Sequence, residues 1–199
     1  MQKKIILLDG GMGQELIKNS KSDPHPLWST YVMLKEPELV KKAHVDFIEA
    51  GARIVTLNTY STTPERLEAN NLSDKFSFFH KKAIDLAREA IDHTQKDVLI
   101  AGCLPPLVWS YRPDKAPDYE RCVELYLQIV REQENFVDLF ICETMASIKE
   151  AKAAVMAAKT SGKTIWCGLT LEDSENCELR SGEKLIDCVN ELQSLGQQE

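Results

Sequence analysis

Arg53-Ile54-Val55-Thr56-Leu57-Asn58-Thr59-Tyr60 is a short apolar run handed directly to a polar cluster. The same arrangement occurs twice more. Lys4-Ile5-Ile6-Leu7-Leu8 precedes Asp9-Gly10-Gly11, and Asp138-Leu139-Phe140-Ile141-Cys142 precedes Glu143-Thr144. Such runs, without polar alternation, read as buried parallel strands. In a β/α protein the loops leaving the C-terminal strand ends converge on one face, so polar residues at that address are placed for chemistry.

Outward from these runs the chain alternates strand and helix. A short helix is expected near residues 13–18, then a Pro-rich connection through Asp23-Pro24-His25-Pro26-Leu27-Trp28. Pro37 suits the first position of a helix whose apolar face runs Leu39, Ala43, Phe47, with Gly51 as its stop signal. Thr63-Pro64 starts a short helix, and Ser73 is placed to cap a longer one with Phe76, Phe79, Ala83, Ala87 and Ala90 inward. Residues 98–102 read as a third strand. The loop behind it, residues 103–117, carries Pro105, Pro106, Pro113 and Pro117 with Trp109, Tyr111 and Arg112, which suits a semi-rigid lid or pocket wall. Cys122, Leu125 and Ile129 mark the next helix. Ser147-Ile148-Lys149-Glu150 is a capping box opening a helix with Ile148, Ala151, Val155 and Ala158 inward. Residues 164–169 read as a fifth strand, and a last helix over 183–195 buries Leu185, Val189 and Leu192 before Gly196.

A chain of 199 residues is enough for one well-cored domain, and residues 1–199 are read as a single one. The net charge of -7, with Lys and Arg scattered among Asp and Glu, leaves no basic stripe for nucleic acid or anionic lipid. The apolar stretch after Met1-Gln2-Lys3-Lys4 ends at Asp9, too short for a signal core or a membrane span, so a cytoplasmic address and no membrane partner are expected. The six cysteines, Cys103, Cys122, Cys142, Cys167, Cys177 and Cys188, show no C-x-x-C spacing. Most lie on apolar faces, where free cysteine acts as a small hydrophobe, and disulfides are not expected.

Five βα units without hairpin signals leave two architectures, an open doubly wound sheet or a (β/α)8 barrel. The first turn, Asp9-Gly10-Gly11-Met12-Gly13, is not the dinucleotide fingerprint, and no phosphate-binding P-loop is present. Polar clusters after the first, second and fourth strands suit a barrel mouth better than a single switch point.

Taken together, Leu8-Asp9-Gly10-Gly11-Met12-Gly13, Pro26-Leu27-Trp28-Ser29, residues 51–60 and Cys142-Glu143-Thr144 resemble, in order and spacing, the homocysteine S-methyltransferase family. Residues 102–107, 110–114 and 179–183 extend the resemblance nearly end to end. It implies a zinc-dependent (β/α)8 TIM-type barrel of which this chain supplies about the first five βα units. The implied reaction moves a methyl group from a donor of the S-methylmethionine, betaine or methyl-folate type to the thiol of homocysteine, giving methionine. The family's zinc cysteines follow strand six and, as an adjacent pair, strand eight. This chain stops at Gln197-Gln198-Glu199, where strand six should begin, so the ligands are absent from it, and Cys167 does not stand in for one.

The resemblance further implies that Asp9 and Glu143 converge on the substrate ammonium and that backbone N–H groups around Gly10 and Gly11 reach its carboxylate. Thr56 and Asn58 would add hydrogen bonds, with Thr144 beside Glu143, and Trp28 and Tyr60 would wall a cationic donor. The intact protein is expected to be a methyltransferase, with no catalytic residue assigned in this chain and self-association expected of it alone. An alternative is a non-catalytic amino-acid-binding or partner-completed barrel fragment. A third reading, a lyase holding a divalent ion on Asp9 and Glu143, lacks the further oxygen ligands that hard cations take. His44 reads as a packed or surface histidine, and Arg112 as a surface residue at least as much as a substrate contact.

Overall fold

A computed structural model of the protein describes residues 5–196. Its centre is a parallel sheet of β1 (Ile54–Thr56), β2 (Leu99–Leu104), β3 (Leu139–Met145) and β4 (Thr164–Leu169), in the spatial order β1-β2-β3-β4. The register sets Val55 beside Ile100, Gly102 beside Phe140 and Cys142 beside Cys167. Strand order follows chain order without reversal, and crossovers in such sheets share one hand, so the connecting helices fall on one face. The burial agrees. Val55, Ile100, Phe140 and Cys142 join the large core with the helices, whereas Ile54, Ala101 and Leu139, with Ile141, form a separate small cluster.

The helices are α1 (Met12–Asn19), α2 (Trp28–Lys35), α3 (Pro37–Glu49), α4 (Pro64–Glu68), α5 (Phe76–Thr94), α6 (Tyr119–Gln133), α7 (Ile148–Lys159) and α8 (Leu185–Gly196). Local signals fix most of their ends. Pro37 and Pro64 open α3 and α4, and the Thr63, Asp118 and Ser147 side chains accept N–H groups in the first turns of α4, α6 and α7. Gly51 ends α3 at φ +112°, where Gly51 N–H bonds to Ile48 O at 3.1 Å and Ala52 N–H to Phe47 O at 3.0 Å. That pair of bonds is a Schellman closure, which needs a left-handed residue.

The structure departs from the sequence expectations in several places. The first apolar run is not a buried strand. From Ile5 (91% exposed) to Leu8 (39%) it lies open, with Leu8 bridging Ile54 and Arg53 N–H donating to Leu7 O at 2.8 Å. It has a strand neighbour on one side only among the described residues, so its other edge stays unpaired, and the side chains from Ile5 to Leu8 are all exposed; Lys4 lies outside the described residues. Helix α2 stands where a loop and then Pro37 were expected. Its buried residues Ser29, Thr30, Val32 and Met33 are two consecutive pairs, one of them hydroxyl-bearing, so no apolar stripe announces the helix.

Ser73 does not cap α5. It opens a single 3-10 turn, Ser73–Lys75, whose backbone carbonyl at Ser73 takes the N–H of Phe76. On α3 the buried face is Val40, Ala43, His44 and Ile48, with Leu39 and Phe47 at its margin. On α8 Cys188 and Leu195 are buried and Leu185, Val189 and Leu192 half-buried. The capping box at α7 forms by half: Ser147 Oγ accepts Glu150 N–H at 3.3 Å, but the Glu150 carboxylate turns away to accept Leu107 N–H at 3.2 Å. The first N–H of the helix, from Ile148, goes to Glu183 Oε2 at 2.8 Å instead. Glu150 thus ties the loop after β2 to α7. Among the described residues no helix is long and apolar enough to cross a membrane.

Candidate active site

The C-terminal strand ends and the start of α1 enclose a cavity of about 570 Å3. Asp9, Gly10, Gly11, Trp28, Thr56, Asn58, Tyr60, Glu143 and Thr144, read from sequence as separate clusters, all line it. Asp9 leaves the first run beside β1, where Thr56 N–H donates to Oδ2 at 2.7 Å and Thr56 Oγ1 to Oδ1 at 3.1 Å. Burial pushes the Asp9 carboxyl up to about 6, against the pull of the Thr56 bonds, and the Glu143 charge adds to the rise.

Glu143 comes from β3. Burial raises its carboxyl too, offset by the Cys103 thiol, which donates to Glu143 Oε1 at 2.8 Å. The next residue, Thr144, has φ +62°, and the β3–β4 register slips between Cys142 and Met145, so the strand is irregular where Glu143 leaves it. Trp28 at φ +46° and Tyr111 at φ +61° line the same cavity. Left-handed backbone at non-glycine residues costs of order 1 to 3 kcal/mol each and persists where surrounding structure imposes it. Three such residues therefore surround one cleft.

Asn58 is buried and donates from Nδ2 to Ser29 O at 3.2 Å, which joins α2 to the end of β1. Tyr60 Oη and Ser110 Oγ share a hydrogen bond of 2.7 Å, and the Trp28 ring stands edge-on to Tyr60 at 6.2 Å between centroids. Behind Tyr60 the Arg66 guanidinium lies 5.4 Å from the ring centre, its Nη2 donating to Pro106 O at 3.2 Å.

The glycines at this cavity also meet packing demands. A Cβ on Gly10 would fall 2.6 Å from Phe47, and one on Gly13 would fall 2.8 Å from the Trp28 ring, so both make room for aromatic neighbours. Gly11 alone of the three is open, a Cβ there meeting only Gln14 at 3.9 Å, and α1 begins after it without a side-chain cap. Helix starts of this kind leave backbone N–H groups for an anion.

Met12, Gln14, Ser29, Ser110 and Tyr111 also line the cavity. Met12, Ser29, Ser110 and Tyr111 fall within the stretches that carry the family resemblance, and the aromatic, Pro-rich character of the loop over 103–117 marks the last two as pocket wall, whereas Gln14 has no signal in the sequence. That loop is a wall, with Arg180 lying 4.9 Å from the Tyr111 ring centre. Arg112 pairs with Asp114 at the surface and does not enter. His44 is buried with no hydrogen-bond partner on either ring nitrogen, and burial lowers it to about 4. Among the described residues no group of three His, Cys, Asp or Glu side chains is gathered to hold a metal ion. The nearest thiols are split by the sheet: Cys103 reaches the cavity carboxylate, while Cys142 packs in the helix-side core and Cys167 borders it. They do not form the converging set a zinc ion takes.

The sequence model of the homocysteine S-methyltransferase family matches residues 6–198. The homocysteine S-methyltransferase of Escherichia coli strain K12 is 30% identical over 204 residues, covering 94% of this chain and 65% of that protein. A betaine–homocysteine S-methyltransferase of Rattus norvegicus is 27% identical over 166 residues, covering 81% of this chain and 40% of that protein. The chain thus spans about 65% of the length of the curated Escherichia coli relative. Among solved structures, the metallated form of the Escherichia coli homocysteine methyltransferase MmuM superposes with a TM-score of 0.83 at 28% identity, over 96% of this chain and 72% of that one. Its apo form gives 0.72 at 25% identity. With the family match running almost from end to end, the chain belongs to the homocysteine S-methyltransferase family.

Proposed function

We propose that the cavity holds the amino-acid end of homocysteine, and that the whole protein methylates its thiol. The observation that carries this reading is the convergence of Asp9, Glu143 and the open start of α1 on one cleft. Two carboxylates facing a cavity repel each other and are raised by burial, and an ammonium group between them would relieve both costs through charge-assisted hydrogen bonds. Backbone N–H groups around Gly10 and Gly11 would meet the substrate carboxylate, apart from that of Met12, which donates to Gly10 O at 2.8 Å. Thr56 orients Asp9 through two hydrogen bonds, and Asn58 fixes the wall around Ser29. Trp28 and Tyr60 would shape the donor side, where aromatic faces favour a sulfonium or ammonium methyl donor over a neutral one.

The architecture proposed with this function is the first part of a (β/α)8 barrel, supported by the unreversed strand order and by the separate apolar cluster on the face opposite the helices. Zinc belongs to the family reading: bound, it would hold the homocysteine sulfur as thiolate. The thiols described here do not fit that role, so what this chain itself is proposed to do is bind and orient the amino acid. A reducing, cytoplasmic setting suits its free cysteines, of which Cys177 is exposed.

Calorimetric titration with homocysteine tests the reading. Asp9→Ala and Glu143→Ala should each weaken binding about tenfold or more, the loss of a charged hydrogen bond of roughly 1.5 to 3 kcal/mol. Unchanged affinity in both variants would overturn the assignment.

A further inference from the structure

Cys103 is buried near the end of β2, and its thiol points at the cavity carboxylate rather than into the apolar core. Sγ–H donates to Glu143 Oε1 at 2.8 Å. The residue is itself held from behind. Its N–H donates to Gln133 Oε1 at 3.0 Å, and Gln133 Nε2 lies 3.1 Å from His80 Nδ1 and 3.3 Å from Thr59 Oγ1. His80 Nε2 lies 3.2 Å from Thr62 O. A carbonyl only accepts, so Nε2 carries the proton and Nδ1 accepts from Gln133, which fixes the tautomer and the orientation of the Gln133 amide. Burial keeps His80 neutral, lowering it to about 4. Thr59, His80, Cys103 and Gln133 are all buried, so a continuous polar chain runs from α5 through α6 and β2 to Glu143.

Glu143 needs such a tether. It leaves β3 next to a left-handed Thr144 and a register slip, so the pleat does not aim its side chain. We propose that Cys103 is a positioning residue: its thiol, braced by Gln133 and His80, holds the Glu143 carboxyl in the cavity as the partner of the substrate ammonium. The second half of that statement rests on the homocysteine reading above. Burial and the neighbouring Glu143 both push the thiol well above its ordinary value, so it stays protonated, a donor and not a nucleophile. The titratable groups facing Glu143 are Cys103 from β2, Asp9 from the first run and Tyr60 from beyond β1.

The test uses the 199-residue chain with 13C-labelled glutamate carboxyls, Glu143 being identified by its loss in Glu143→Gln. Removing the donor with Cys103→Ala should raise the Glu143 titration midpoint by about one unit, because a hydrogen bond to the charged form is lost. Cys103→Ser, which keeps a donor, should bring it back near the wild-type value. Cys103→Val fills the thiol's volume without a donor and serves in place of Ala should that variant fail to fold. A purely packing role predicts lower thermal stability with the midpoint unmoved, and that outcome overturns the proposal. Homocysteine calorimetry on the same variants should show about tenfold weaker binding for Ala or Val and near wild-type binding for Ser. Should wild type bind no homocysteine, the substrate reading falls, and the tether is judged by the titration alone.

Discussion

Asp9 and Thr56 are joined twice, Thr56 N–H to Oδ2 at 2.7 Å and Thr56 Oγ1 to Oδ1 at 3.1 Å, across a separation of 47 residues. The link fastens the end of the first run to the end of β1 and places a carboxylate where burial opposes its charge.

That opposition gives a pH dependence of stability. With its folded value raised from 3.8 to about 6, Asp9 binds more protons in the folded chain than in the unfolded one between those limits. Its contribution is therefore fully present below about pH 4 and is lost as pH rises through 6, by about 3 kcal/mol at neutral pH. Asn at this position can accept from Thr56 N–H and donate to Thr56 Oγ1, and it carries no charge. Asp9→Asn should thus gain stability relative to wild type between pH 4 and pH 8 by about that amount. Denaturant unfolding at the two pH values checks it, and a constant difference between the proteins would remove the basis for a strained carboxylate.

Substrate binding should release protons. An ammonium beside Asp9 favours its charged form, so the midpoint near 6 should fall in the complex, and at pH 6 about half a proton should leave per homocysteine bound. Calorimetry at pH 6 in buffers of different ionisation enthalpy measures that number directly. No buffer dependence, or proton uptake, would mean that the ammonium does not lie against Asp9.

The strand ends could be read from sequence because strands buried in a parallel sheet are continuous apolar runs, and the polar residues that interrupt them, Thr56 and Glu143, are conspicuous for that reason. Helix ends at Pro37, Gly51, Thr63 and Ser147 were legible because each signal is local. What was not legible depends on pairing. That Cys103 meets Glu143 follows from the β2–β3 register and the slip after Cys142, and a cysteine amid apolar residues gives no hint of it. The glycines hide a packing demand in the same way: nothing in the sequence says that Phe47 lies against Gly10 and the Trp28 ring against Gly13, although both glycines also line the cavity. Apolar content marked Ile5 to Leu8 as strand but carried no information about what covers it.

Those glycine contacts make a differential prediction. Inside α1, Gly13→Ala should gain up to about 1 kcal/mol from helix preference alone. The new Cβ would sit 2.8 Å from the Trp28 ring, and displacing that ring costs about 1 to 3 kcal/mol, so the net effect should be destabilising, with altered Trp28 environment in the fluorescence spectrum. Gly11→Ala, with its nearest neighbour at 3.9 Å, should be close to neutral in stability. Equal effects of the two substitutions would contradict the packing described here.

The last prediction concerns the two sheet margins. Among the described residues β4 pairs only with β3, and the run from Ile5 to Leu8 meets only β1. Between those margins the face opposite the helices exposes Leu99 (45%) and Trp166 (38%) beside the small cluster of Ile54, Ala101 and Leu139. Unpaired backbone beside exposed apolar side chains is a template for edge-to-edge association. The 199-residue chain on its own should therefore self-associate at micromolar concentration, and light scattering after size exclusion should find more than one chain per particle. Trp166→Lys places a charge on the outermost strand and should shift the population toward monomer. A monodisperse wild-type monomer with cooperative unfolding would mean that these margins are protected in solution, and with it the proposal of an open barrel segment would fail.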